Sequence, residues 1–115
     1  LQELIELGVY KEDQAQVIFE KISYTNDMEE AVKDAQYIQE SLAENYEIKQ
    51  KVLGELEDMI GGDIPIGSST SGLKITEISK NLKYPERTFV AHPWNPPHLL
   101  PLIELVKGEK TEDKN

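Results

Sequence analysis

The sequence predicts an α/β fold, a mostly parallel sheet with flanking helices. Three observations predict it. Short apolar runs alternate with segments whose apolar residues recur at helical spacing. One such segment, residues 45–59, carries Ile48, Val52, Leu53, Leu56 and Met59 on one side and stops at Gly61-Gly62. The stretches after three apolar runs, residues 40–45, 68–72 and 91–97, are polar or conformationally special, and open α/β sheets bind ligands beyond the carboxyl ends of their strands.

The elements follow in order. Leu1, Leu4 and Ile5 have helical spacing, and Gly8 supplies a left-handed stop. Residues 11–21 form a second helix around Ala15, Ile18 and Phe19, and residues 21–24 a short strand. Thr25-Asn26-Asp27 offers capping oxygens to a short helix through Lys33. Residues 37–41 (YIQES) are a strand leading into the long helix. Residues 64–68 (IPIGS) are a strand with Pro65 near its start. A short helix over 76–82, a buried strand over 88–91, a proline-rich loop over 92–101 and an apolar strand over 102–106 complete the pattern. The polar end from Gly108 is expected to fray. A start at Leu1 within helical spacing suggests that the 115 residues are part of a domain.

Composition narrows the function. With no cysteine there is no disulfide, thiolate zinc site or catalytic thiol. The charge of -10, from 22 acidic against 12 basic residues, argues against a nucleic-acid backbone as partner. No apolar run reaches the ~20 residues that span a bilayer, and no stretch reads as a signal peptide. A cytoplasmic setting without membrane contact is expected.

Chemistry concentrates in three segments. His92-Pro93-Trp94-Asn95-Pro96-Pro97-His98 places both histidines in one proline-stiffened loop. A histidine held at the end of a buried strand suits a general base, and a carboxylate on its second nitrogen would orient it. Glu104 is the candidate, because an acid within Leu102-Ile103-Glu104-Leu105-Val106 is costly to bury unless paired. It could equally face solvent on an edge strand. His92, His98 and Glu104 lack any close metal-ligand spacing, so no metal is predicted. The run Pro96-Pro97-His98-Leu99-Leu100-Pro101 also permits a polyproline turn, but no basic residue flanks it within the loop.

Gly67-Ser68-Ser69-Thr70-Ser71-Gly72 could cradle a carboxylate, a carbonyl or the ribose side of a cofactor, or could be an ordinary turn. It is neither a phosphate-binding Walker loop nor a nucleophile elbow, and no Gly-x-Gly-x-x-Gly occurs in the chain. Glu44 precedes the long helix, where an acid favours the helix dipole or serves a ligand. Glu44 and Lys49 are five apart and do not stack as a helical ion pair.

In this order the segments resemble the NAD-binding domain of the L-3-hydroxyacyl-CoA dehydrogenase family, including its gulonate/lambda-crystallin and carnitine branches. The resemblance rests on Asp34-Ala35, Tyr37-Ile38, Glu40-Ser41, Glu44-Asn45 and Lys49, then Ser68-Ser69-Thr70-Ser71-Gly72-Leu73 and Tyr84-Pro85-Glu86-Arg87, then His92-Pro93-Trp94-Asn95-Pro96-Pro97 with Glu104. It runs to Val106 and implies a partial Rossmann-like NAD domain over 1–106 with a polar tail over 107–115. The family's Gly-rich turn would lie before Leu1 and its helical domain after Asn115. On this reading the chain alone binds NAD poorly.

The resemblance implies roles residue by residue. His92 looks like the base that takes the proton from the substrate hydroxyl, and Glu104 like its orienting partner. Ser71 looks like the serine that bonds the substrate oxygen, and Asn95 like the asparagine beside the nicotinamide. Glu44, Lys49, Ser69, Ser71 and Asn95 match positions at the cofactor. The implied activity is NAD-dependent oxidation of an L-3-hydroxyacyl-CoA, with a small L-3-hydroxy acid as alternative substrate. A homo-oligomer is expected. A non-catalytic structural module is the competing reading.

Overall fold

The computed structural model describes residues 2–113. Five helices, one 3-10 turn and four strands alternate along them. They are α1 (Gln2–Glu6), α2 (Glu12–Phe19), α3 (Met28–Val32), β1 (Ile38–Glu40), α4 (Tyr46–Met59), β2 (Ile66–Ser68) and α5 (Ile75–Ile78), then the 3-10 turn Pro85–Arg87, β3 (Thr88–Pro93) and β4 (Ile103–Lys107). The sheet order is β1-β2-β3-β4. β1, β2 and β3 run parallel, because helical crossovers separate them, whereas β4 returns antiparallel after a loop. The expected partial Rossmann-like α/β fold is therefore present, with one antiparallel edge.

Local chemistry sets the helix ends. Gly8 adopts φ 72°, the left-handed conformation a stop requires. Asp27 Oδ1 accepts from the Glu29 and Glu30 amides at 3.0 and 3.2 Å. Asn45 Oδ1 accepts from the Ile48 amide at 3.0 Å, which starts α4 directly after a strand-end loop.

The core lies on one face of the sheet. Leu53, Leu56 and Ile60 from α4 and its end pack with Ile66 of β2, Val90 of β3, Ile75 and Ile78 of α5, and Leu82. Each such side chain contributes about 1.5–3 kcal/mol of burial. Two buried ion pairs border this core. Arg87 Nη2 lies 3.3 Å from Glu57 Oε1, and Glu57 also accepts from the Lys83 and Tyr84 amides at 2.7 and 3.0 Å. That pair ties the end of α4 to the turn before β3. Lys49 pairs with Glu40 at 2.7 Å.

Several elements differ from expectation. Residues 21–24 form no strand: Ile22 and Tyr24 are exposed and have no neighbouring strand to pair with. The helix expected over 76–82 is α5, starting at Ile75 and closing where Ser79 Oγ bonds Ile75 O at 2.9 Å. β3 extends through His92 and Pro93, because Glu104 and Ile103 of β4 continue the ladder. The apolar strand β4 is exposed along its whole length. Of the two readings open for Glu104 in the sequence, the acid on an exposed edge strand is the one found. Within the described residues the polar end is hydrogen-bonded to the body of the domain. Thr111 Oγ1 donates to Thr88 O at 2.6 Å and the Glu109 amide donates to Thr76 Oγ1 at 3.1 Å. Of the expected first helix, Leu1 lies outside the described residues, as do residues 114–115 of the tail.

Candidate active site

The parallel strands end at Glu40, Ser68 and Pro93 on one edge of the sheet, and β4 begins there. Residues alternate faces along a strand, so Val90 and His92 share the core-side face of β3. Their register partners Val106 and Glu104 lie beside them on that face. Together with Ser71, Gly72 and Lys107 they line a cleft of about 380 Å³. His92 Nδ1 lies 4.0 Å from Glu104 Oε2. This is too long for a hydrogen bond, yet it places the two groups face to face. His92 is half-buried, whereas Glu104 is 59% exposed.

The loop after β2 is held from inside. Glu44 Oε1 accepts from Thr70 Oγ1 at 2.6 Å, from the Ser71 amide at 3.2 Å and from the Gly72 amide at 3.1 Å. The Thr70 bond is the main reason the Glu44 carboxyl is held below its ordinary value; the Gly72 amide, nearby Lys49 and the Ser71 amide add to it, and partial desolvation opposes. Glu44 thus acts on the Ser71-bearing loop as a cap would on a helix. Glu44 also lies 3.6 Å from Lys49 Nζ.

Lys49 is almost fully buried within the first turn of α4. Its Nζ donates to Glu40 Oε1 at 2.7 Å and to Leu42 O at 3.2 Å. Ser68 Oγ donates to the second oxygen of Glu40. A continuous polar network therefore runs from β1 through Lys49 and Glu44 to residues 70–72. In this arrangement Glu44 and Lys49 bond to the protein itself.

Ser69 lies on the other side of the loop. Its Oγ accepts from Gln39 Nε2 at 2.7 Å and is 2.9 Å from Ser41 Oγ. Asn95 is exposed in the loop after β3, next to the cis bond to Pro96. His98 lies apart from the cleft and pairs with Glu3 of α1 at 3.1 Å.

The structure thus gathers His92, Glu104 and Ser71 around one cleft, sets Asn95 and Ser69 at the same sheet edge, and sets Glu44 and Lys49 behind the loop. Sequence reasoning gave no individual role to Gln39, Glu40 or Thr70, which hold that loop in place. The available signal was Glu40 at a strand end nine residues before Lys49. A buried lysine needs such a partner.

The chain matches the 3-hydroxyacyl-CoA dehydrogenase, NAD binding domain, over residues 1–115. It is 50% identical over 92 residues to an L-carnitine dehydrogenase of Oceanobacillus iheyensis, covering 80% of this chain and 30% of that protein. A solved 5-formyl-3-hydroxy-2-methylpyridine 4-carboxylic acid 5-dehydrogenase, described as an NAD+-dependent dismutase, superposes with a TM-score of 0.78 at 38% identity, covering 82% of this chain and 30% of that one. The (S)-3-hydroxybutyryl-CoA dehydrogenase of Ralstonia eutropha superposes with a TM-score of 0.91 at 26% identity, covering 98% and 40%. The chain spans about a third of the length of these relatives.

Proposed function

Because the chain belongs to the 3-hydroxyacyl-CoA dehydrogenase family, as its NAD-binding domain, we propose that it supplies the proton-handling side of an oxidoreductase moving a hydride between NAD and the C3 carbon of an L-3-hydroxy substrate. One observation carries this reading: His92, Glu104 and Ser71 line a single cleft at the carboxyl ends of β2 and β3.

The residues present fit the nicotinamide end of the cofactor. Hydroxyl, amide and imidazole groups of Ser69, Ser71, Asn95 and His92 stand at the sheet edge, where open α/β sheets bind nucleotides. Bound NAD supplies the hydride acceptor for substrate oxidation. His92 Nε2 would take the proton from the C3 hydroxyl as the C3–H bond breaks and gives up its hydride, so that the C3–O bond becomes a carbonyl. Nδ1 faces Glu104, whose carboxylate orients the ring and stabilises its charged form. Ser71 Oγ donates to the substrate oxygen. Glu44 and Lys49 keep residues 70–72 in place and border the cofactor, as does Ser69 opposite them.

The substrate is an L-3-hydroxyacyl-CoA or a small L-3-hydroxy acid. The 50% identity to an L-carnitine dehydrogenase favours the small acid. A substrate panel decides between them: 3-hydroxybutyryl-CoA, carnitine and gulonate, each with NAD and the full-length gene product. NADH formation with a small acid and none with the thioester is expected. Formation with the thioester alone reverses the choice, and formation with none of them leaves the structural-module reading. We also propose a homo-oligomer, for which the exposed apolar edge strand β4 offers a pairing surface, in a cytoplasmic setting.

A further inference from the structure

Gln39 makes a set of bonds that gives its amide one orientation. It projects from β1 on the face opposite His92, since Gln39, Gly67 and Phe89 are register partners. Nε2 donates to Ala91 O of β3 at 3.0 Å and to Ser69 Oγ at 2.7 Å, while Oε1 accepts from the Tyr37 hydroxyl. A backbone carbonyl can only accept, so the atom facing Ala91 must be the nitrogen. Burial pushes the Tyr37 phenol up, which keeps it protonated and donating. Partners from β3, from the residue after β2 and from the residue before β1 thus fix one amide in one sense.

This sense decides the polarity of Ser69. Its oxygen accepts from Gln39, so its own O–H must point away, either to Ser41 Oγ at 2.9 Å or into the space beyond the strand ends. Ser41 is exposed and can donate to Ser69 instead, which leaves the Ser69 proton for a ligand.

We propose that Gln39 is a positioning residue that turns Ser69 into a hydrogen-bond donor toward an oxygen acceptor on the nicotinamide half of the cofactor. The proposal rests on the reading of Ser69 as a cofactor neighbour. Gln39 does not touch the cofactor; it acts through the Ser69 hydroxyl.

The test uses the full-length gene product with NAD and its best substrate. Ser69→Ala removes the donor, and Gln39→Glu offers a carboxylate that captures the Ser69 proton. Each is expected to raise KM for NAD, and the Kd for NAD titrated without substrate, ~10-fold, the loss of about one hydrogen bond, with kcat within about threefold. The double variant is expected to be no worse than Ser69→Ala, because both act through one proton. Gln39→Met, of similar length, serves if Gln39→Glu does not fold, and should raise KM for NAD with kcat preserved. An unchanged KM in the Gln39 variants beside a raised one in Ser69→Ala overturns the positioning role and leaves Ser69 at the cofactor. An unchanged KM in Ser69→Ala overturns both. A Gln39 variant that loses kcat and melting temperature but keeps KM has a structural role only, which also overturns the proposal.

Discussion

His92 and Glu104 are register partners across β3 and β4, with Nδ1 and Oε2 4.0 Å apart. Catalytic hydrogen bonds are often long in the unliganded state and tighten in the complex. We predict that His92→Gln in the full-length gene product lowers turnover at least ~100-fold, the value of a positioned base. Glu104→Ala should lower kcat more than it weakens NAD and should displace the pH-rate profile. Near-normal turnover in the first, or an unmoved profile in the second, refutes the respective role.

Lys49 and Glu40 form a pair almost without solvent access. Removing one partner strands the other charge. Lys49→Met is expected to cost about 3–5 kcal/mol in urea unfolding. Adding Glu40→Gln should recover part of that loss. An unchanged midpoint for Lys49→Met contradicts the arrangement.

The Glu44 carboxyl is held below its ordinary value of 4.5. A depressed folded value means that the charged form is favoured by folding, so its contribution is complete above the ordinary value and lost as pH falls through the lower one. Melting temperature below about pH 4.5 should therefore drop more steeply in the unsubstituted protein than in Glu44→Gln. The effect should stay below about 1 kcal/mol, because the side chain is partly exposed. Parallel pH curves would exclude this cap on residues 70–72.

Gly67 lies where a Cβ would collide with the Tyr37 hydroxyl and with Ala91 Cβ. Gly67→Ala is expected to destabilise by about 1–3 kcal/mol through overpacking. Tyr37→Phe in the same chain should restore part of the loss, although Ala91 still crowds the site. A fully stable Gly67→Ala would show that β1 and β3 can move apart.

β4 presents Ile103, Leu105 and Val106 to solvent on an open edge. Such edges pair with other strands. Leu105→Lys should reduce self-association in sedimentation at fixed concentration. An unaltered sedimentation coefficient would place any self-association elsewhere.

Much of the fold was legible because it is written in short-range patterns. The amphipathic run of α4, the Asp27 cap and the Gly8 stop depend on neighbours within a few residues. The 21–24 run reads as a strand in the sequence and forms none, because an apolar stretch looks strand-like whether or not a partner strand lies beside it. The same limit leaves β4 open in the sequence between a buried strand and an exposed edge. An isoleucine-rich run has the same composition on an open edge as in a core.

By itself the sequence determined the α/β alternation, the carboxyl-edge position of the three polar segments and the residue types available there: His92, Ser71, Asn95, Glu104 and Glu44. Only the tertiary structure decided which of them meet. Register sets Glu104 opposite His92 on a solvent-facing strand, and parallel pairing brings Glu40 beside Ser68. Hydrogen bonding is directional and short in range, so Gln39 reaching Ser69 across thirty positions of chain, or Glu44 reaching Thr70, follows from strand order and not from any spacing along the sequence.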